Sequence, residues 1–334
     1  MLTGILAGLA AGALWGMVFV APRMVEGFSA VDFTAGRFVA YGALSVLVML
    51  VWRKSLWPTP RQALAALGMS VLGFTGYYLL LAKGIQDAGT EVPSLIIGTI
   101  PIWMMLLGKP VGLRWVGLLP GLVLTALGLA LMVAAVLGMQ IFEPLGLGTQ
   151  ALSPLALSPL AQAPLALGSP ALAAHGIAPH TGPHFWRGVA YAVLAMLLWT
   201  AVGLLNAAWL KKHPEVNATT WANWLGVATG FGALVMWFSL GFTEKPHDVI
   251  VNWSLFAILC IVTGIGSAWL ATILWNIASQ RLPSSLCGQL IVSETIFALV
   301  YSFAWDGAWP SSAQWLACAL FVGGIAWSIR AHNQ

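Results

Sequence analysis

Long apolar stretches alternate with short polar joints along most of the chain, at about 2–21, 30–52, 63–85, 91–108, 113–138, 186–210, 217–241, 252–278, 283–305 and 312–330. Each approaches the roughly 20 residues that an α-helix needs to cross the roughly 30 Å hydrocarbon core of a bilayer. The pattern predicts ten transmembrane helices. The most informative stretch runs from Leu282 to Trp305, where the only full charge is Glu294, at the middle. At 1.5 Å per residue that helix is roughly 36 Å long, so Glu294 falls near the bilayer midplane.

Residues 139–184 break the rhythm. They contain no Lys or Arg but carry Pro144, Pro154, Pro159, Pro164, Pro170, Pro179 and Pro183. Proline at about every fifth position prevents a regular helix, so this stretch is expected to be an external linker rather than an eleventh span. The segments on either side echo each other. Gly4 precedes Trp15 by the same interval as Gly188 precedes Trp199, and Gly73 to Leu95 matches Gly264 to Leu286. Two matches in the same order point to an internal duplication, with repeats at 1–138 and 185–334. Five helices per half is an odd number, so the halves insert with opposite orientations, as in the inverted repeats of secondary transporters.

Composition agrees with the segment pattern. Charged residues make up 7% of the chain, hydrophobic ones 60%, and the mean hydropathy is +0.89, whereas soluble domains run near 25% charged. Lys and Arg sit at segment ends. With the N-terminus inside, Arg53, Lys54, Arg61, Lys109, Arg114, Lys211, Lys212, Arg281 and Arg330 are cytoplasmic, against Arg23, Lys83, Arg187 and Lys245 outside. That asymmetry places both termini in the cytoplasm. No basic residue precedes the first apolar stretch, unlike a secretory signal, so it is expected to stay as a membrane helix. The net charge of +4 is dispersed and implies no nucleic-acid partner. Cys260, Cys287 and Cys318 lie in apolar segments as small hydrophobes. His175, His180 and His184 lack the neighbouring Cys or second cluster of a metal site.

Phosphate-binding glycine loops, zinc-protease histidine pairs, paired-cysteine motifs and nucleophile elbows are missing from the sequence. The candidate chemistry is a set of polar and aromatic groups at membrane depth. Glu294 can bind a cation or amine, or carry a proton, since an ionisable group at the midplane is costly unless it faces a partner or a watery cavity. Arg37, about seven residues into the second segment, can pair with Glu294, hold a substrate carboxylate, or snorkel outward as an anchor. Trp15, Trp103, Trp199, Trp224, Trp269 and Trp275 lie deep in their segments, and with Tyr77, Tyr78 and Tyr301 they can line an apolar pocket. Asn206, Asn223 and Gln289 are the uncharged polar groups best placed to join it. Interhelical packing or hydrogen bonding is the competing role for each of these residues. The ridge of Gly4, Gly8, Gly12 and Gly16 points to packing alone, as a close approach between helices.

The chain resembles the drug/metabolite transporter superfamily in its ten-helix EamA-like branch. The resemblance rests on Leu14-Trp15-Gly16 with Pro22, Arg37-Phe38, Gly73 to Tyr78 with Ala82, Pro101, Pro283, Ser293-Glu294-Thr295 with Tyr301, and Gly323-Gly324. It implies an all-α membrane protein of two inverted five-helix repeats around a central cavity. It also implies a secondary carrier, several members of the family exporting amino acids, including aromatic ones. The 139–184 stretch departs from the family's short link.

The expected function is export of small amphipathic metabolites, neutral or aromatic amino acids first, by alternating access in the inner membrane. The substrate-binding or coupling residues are then Glu294, Arg37, Trp15, Tyr78, Trp103, Trp199, Trp269, Tyr301 and Gln289. The partners are a small molecule, a proton if transport is coupled, and the lipid bilayer; no cofactor is implied. Efflux of drugs or nucleosides is the alternative within the same fold. A membrane enzyme acting on lipid-linked substrates ranks lower, because Asp32, Asp87, Glu91 and Asp306 are scattered without metal spacing.

Overall fold

The computed structural model describes residues 1–25, 28–52, 57–88, 91–109, 113–136, 183–240, 251–307 and 312–333, and all regular structure among them is helical. Most of the expected linker, with His175 and His180, lies outside the described residues. Thirteen helical pieces follow in order. They are α1 (Leu2–Gly16), α2 (Ala30–Val51), α3 (Pro60–Ser70), α4 (Tyr77–Ala88), α5 (Glu91–Gly98), α6 (Ile100–Leu107) and α7 (Trp115–Val136), then α8 (Pro183–Lys212), α9 (Ala218–Leu240), α10 (Trp253–Thr263), α11 (Ala271–Arg281), α12 (Ser284–Asp306) and α13 (Ser312–Asn333). Two wide π-helical segments, Val71–Gly76 and Gly264–Leu270, join α3 to α4 and α10 to α11.

Seven helices among the described residues are long and apolar enough to cross a membrane. Three of the ten apolar stretches take other forms. The first yields the 15-residue α1 followed by short 3-10 turns at Met17–Phe19 and Ala21–Met24. The fourth divides at Thr99 into α5 and α6. Pro101 has no N–H to donate to the Ile97 carbonyl one turn back, and beside this gap the Thr99 hydroxyl donates to the Ile96 carbonyl at 2.6 Å. The helix of the seventh, α9, has 23 residues but is diluted by Thr219, Thr220, Asn223 and Thr229.

Local signals start the helices where they are needed. Ser29 and Asp32 form a reciprocal capping box at α2, and Thr59 with Gln62 does the same at α3, whose first residue is Pro60. Asn217 accepts from Thr220 N at 2.8 Å to open α9, and Asn252 accepts from Leu255 N at 2.9 Å to open α10.

Burial runs opposite to that of a soluble domain. Phe238 is 87% exposed, and Val116, Leu50 and Leu47 also face outward, while Arg37, Asp32, Asn206, Asn276 and Gln289 are buried. An apolar exterior over a polar-studded interior suits hydrocarbon as the outer solvent. The main core gathers Ile5, Ala11, Met104, Leu286, Leu290, Leu299 and Phe321, from α1, α6, α12 and α13.

Helix partners are exchanged between the two halves of the chain. The most extensive contacts join α2 to α9 and α7 to α13; α1 lies against α11 and α12, as α8 lies against α4 and α5. Each π segment follows an 11-residue helix, α3 in one half and α10 in the other. The glycine ridge of α1 is the contact it promised. A Cβ at Gly8 would meet Leu290 Cδ1 at 2.7 Å, and one at Gly16 would meet the Ala298 backbone at 2.9 Å. One end of the bundle, called lower here, joins Gly4 to Leu282, Gly108 to Ser285, Ser285 to His332 and Val216 to Gln280.

Candidate functional site

A partly open cavity, of about 610 Å³ when the open space at its mouth is included, lies between α1, α3, α6, α8, α9, α11, α12 and the first π segment. Its walls carry the rings and thioethers of Trp15, Trp199, Trp275, Phe74, Met69 and Met104, with Val202, Leu225 and Ile291 as further apolar members. Trp15 packs on Trp275 at 5.2 Å between ring centroids, and Trp199 on Tyr77 at 4.8 Å and on Phe74 at 6.0 Å. Such a box accepts a flat or branched apolar body, and its two methionines can adapt to shape. The polar members are Asn206, Thr272, Asn276 and Glu294. Glu294, halfway along α12, is half-buried and, among the described residues, is the only ionisable one on the wall.

Arg37 stands behind the wall. It is 5% exposed, donates from Nη2 to the Tyr78 hydroxyl at 2.9 Å, and lies 4.8 Å from the centroid of the Phe38 ring. It does not snorkel to the surface. Among the described residues no ion pair within 4.0 Å joins it to Glu294. Phe38 packs edge-on against both Phe74 and Tyr78, so an aromatic train links the guanidinium to the cavity.

The other residues singled out from sequence divide by position. Trp15, Trp199 and Glu294 meet in the cavity wall, and Tyr78 connects it to Arg37. Trp103 is 41% exposed on the outer face of α6, with its indole donating to Thr99. Trp269, in the second π segment, donates to Asn223 Oδ1 at 2.8 Å, which engages both away from the cavity wall. Gln289 is fully buried against α7, donating to Thr125 Oγ1 at 2.7 Å. Tyr301, further along α12, stacks on Phe297. Asn276, Thr272, Phe74 and the two methionines were not anticipated. A lone Asn in an otherwise apolar segment is the same signal that flagged Asn206, and it was available for Asn276.

The opposite, upper end carries a fastening. Arg187, in the first turns of α8, clasps Asp87 of α4 through two bonds, Nε to Oδ2 at 2.6 Å and Nη2 to Oδ1 at 2.9 Å, and His184 Nδ1 lies 3.0 Å from the same guanidinium. Below it the backbones nearly touch, since a Cβ on Gly188 would meet Ala88 N at 2.6 Å. The bidentate bond to Arg187 holds the Asp87 carboxyl below its usual range. Its contribution is therefore complete above the unfolded carboxyl value near 4 and disappears as pH falls through the lowered folded value. The melting-temperature gap between wild type and Asp87→Asn is expected to be small at pH 7 and to vanish in strong acid. A gap that widens on acidification would contradict the assignment.

The sequence matches the EamA-like transporter family over residues 2–139 and 186–330. The chain belongs to the EamA-like transporter family. As a member it is a multi-pass membrane transporter, of the drug/metabolite transporter superfamily, and its site is to be read as a carrier's rather than an enzyme's. The inner membrane protein YtfF of Escherichia coli K12 is 28% identical over 351 aligned positions, covering 99% of this chain and 96% of that one. This EamA-family chain, like that relative, is a protein of the inner membrane. A solved crystal structure of similar length superposes with a TM-score of 0.70 at 19% identity, over 99% of this chain and 98% of its own, and shows a shared fold.

Proposed function

We propose that this EamA-family protein is a secondary carrier that exports small amphipathic metabolites by alternating access, with neutral or aromatic amino acids as its first substrates. The observation that carries the reading is the cavity itself: a ring-lined space beside the midpoint of α12 that holds one carboxylate among the described residues, Glu294. An apolar box with one ionisable group matches a molecule with an apolar body and a charged end.

The exchanged helix partners and the matched π segments support an arrangement as two inverted five-helix repeats, 1–138 and 185–334, with 139–184 as external linker. In this reading the stretches at 2–21, 91–108 and 217–241 complete ten spans, the last two through the broken α5–α6 pair and the polar-studded α9. The distribution of Lys and Arg puts both termini in the cytoplasm, which makes the lower end of the bundle the cytoplasmic one. On this reading Asn206, Leu225 and Asn276 form the cytoplasmic side of the cavity wall, with the Asp87–Arg187 clasp at the opposite end of the bundle.

The test is tryptophan flux into proteoliposomes holding the purified full chain. Saturable, protein-dependent uptake is the expected result. Uptake no greater than in empty vesicles would remove the amino-acid assignment. The adaptable Met69 and Met104 favour a second reading, efflux of drugs or nucleosides, for which a broader panel in the same vesicles is the measurement.

A further inference from the structure

The cavity has a second polar feature, built as a chain of directed hydrogen bonds. Trp221, fully buried at the start of α9, donates from Nε1 to Asn206 Oδ1 at 2.6 Å. Asn206 donates from Nδ2 to Asn276 Oδ1 at 3.1 Å, and Asn276 donates from Nδ2 to the Ala218 carbonyl at 3.3 Å. Its direction follows from chemistry. An indole N–H can only donate, so the oxygen of Asn206 must face it. The nitrogen of Asn206 is thereby turned to the oxygen of Asn276, and the nitrogen of Asn276 to a carbonyl, which again can only accept.

That direction determines what the pair offers a ligand. Each amide oxygen already accepts a bond, whereas each amide nitrogen carries two N–H groups and spends one within the chain. Asn206 and Asn276 are 6% and 0% exposed, and both line the cavity that also holds Glu294. Two unspent donors, held in place by an indole and a backbone carbonyl, prefer an oxygen acceptor, and a charged one most. Glu294 has the opposite preference, for a donor or a cation.

We propose that Asn206 and Asn276 form the carboxylate subsite of the carrier, so that the cavity selects zwitterions. The α-carboxylate of an amino acid lies on the two amide nitrogens, its ammonium faces Glu294, and its side chain packs among Trp15, Trp199 and Trp275. This rests on the amino-acid reading above and gives Arg37 no direct contact with the substrate. Trp221 acts as a positioning residue, since it touches Asn206 and not the cavity.

The experiment compares three indoles of the same body in proteoliposomes of the full chain: L-tryptophan, tryptamine without the carboxylate, and indole-3-propionate without the ammonium. Half-saturation for tryptophan in wild type is expected to be roughly 10- to 100-fold lower than the inhibition constant of either analogue, the cost of losing a hydrogen-bonded charged end. Asn276→Asp, which replaces the donors with a repelling carboxylate, is expected to weaken tryptophan by at least the same factor while leaving tryptamine unchanged or tighter. If wild type binds tryptamine as well as tryptophan, the subsite is overturned without recourse to any variant. Parallel losses for both ligands in Asn276→Asp would overturn it too, as those of a structural residue. Absence of saturable tryptophan uptake in wild type would instead bring down the amino-acid reading, and the subsite with it.

Discussion

Glu294→Gln is expected to abolish accumulation of tryptophan driven by an imposed pH gradient, while downhill exchange at saturating substrate continues. The carboxylate occupies the middle of α12, and no hydrogen bond fixes it among the described residues. It can therefore hold a proton in one state of the carrier and a substrate ammonium in the other, which is the exchange that couples two gradients. Glutamine keeps the shape and the capacity to accept a hydrogen bond but cannot change charge. It leaves a path for the substrate with no means of linking it to the proton. Affinity should weaken as well, by about tenfold, through loss of one charged partner. The measurement is radiolabelled uptake with and without the gradient, set against counterflow in the same vesicles. Accumulation at the wild-type level in Glu294→Gln would mean that the proton, if it is used, binds elsewhere.

The second large effect concerns folding. Gly42→Leu is expected to leave almost no monodisperse protein. In the contact between α2 and α9 a Cβ at Gly42 would lie 2.7 Å from Gly230 Cα and 3.1 Å from the Gly226 carbonyl oxygen, and a Cβ at Gly230 would lie 2.8 Å from Gly42 Cα. These are backbone atoms, so no rotamer change relieves the clash, and one of the two most extensively packed helix pairs must move apart. Overpacking by a few atoms commonly costs about 1–3 kcal/mol, and a helix pair held by close backbone approach has little else to replace what it loses. Gly68 is the control. A Cβ there meets nothing within 4 Å, so Gly68→Ala should keep or raise stability by a few tenths to about 1 kcal/mol. Yield and elution profile in detergent, followed by a thermal melt, compare the two. Wild-type behaviour of Gly42→Leu would show that the contact is looser than drawn.

Parts of the site are legible in the sequence because they violate their surroundings. Glu294 is a charge inside an apolar stretch, and a ridge of glycines every fourth residue on α1 has one geometric use. Residues that differ from their neighbours only in facing direction were harder to place. Trp15 and Trp103 look alike in sequence, yet one lies in the cavity wall and the other on the outer surface. A helix that is hydrophobic all round gives no moment from which to tell its lipid side from its protein side. The wide turns compound the difficulty. A π segment falls out of step with the 3.6-residue period, so facing directions counted through Val71–Gly76 or Gly264–Leu270 no longer apply beyond them. Trp275 and Asn276 lie just past the second one. Gln289 shows the converse limit, because polarity put it among the candidate site residues without revealing that Thr125, and not the cavity, engages its amide.

Those wide turns also bear on how a helix can twist in a solvent that offers no hydrogen bonds. An ordinary helix rotates one end against the other only by breaking backbone bonds, and in hydrocarbon each bare carbonyl costs several kcal/mol. Sliding a wide turn along by one residue exchanges one backbone bond for another and leaves their number unchanged. Residues carried past it swing by roughly 100°, the angle between successive positions of a 3.6-residue helix. With one such turn just before Tyr77 and Tyr78 and another a few residues before Trp275 and Asn276, the chain has two places where aromatic and amide groups can be re-aimed inside the membrane without water to assist.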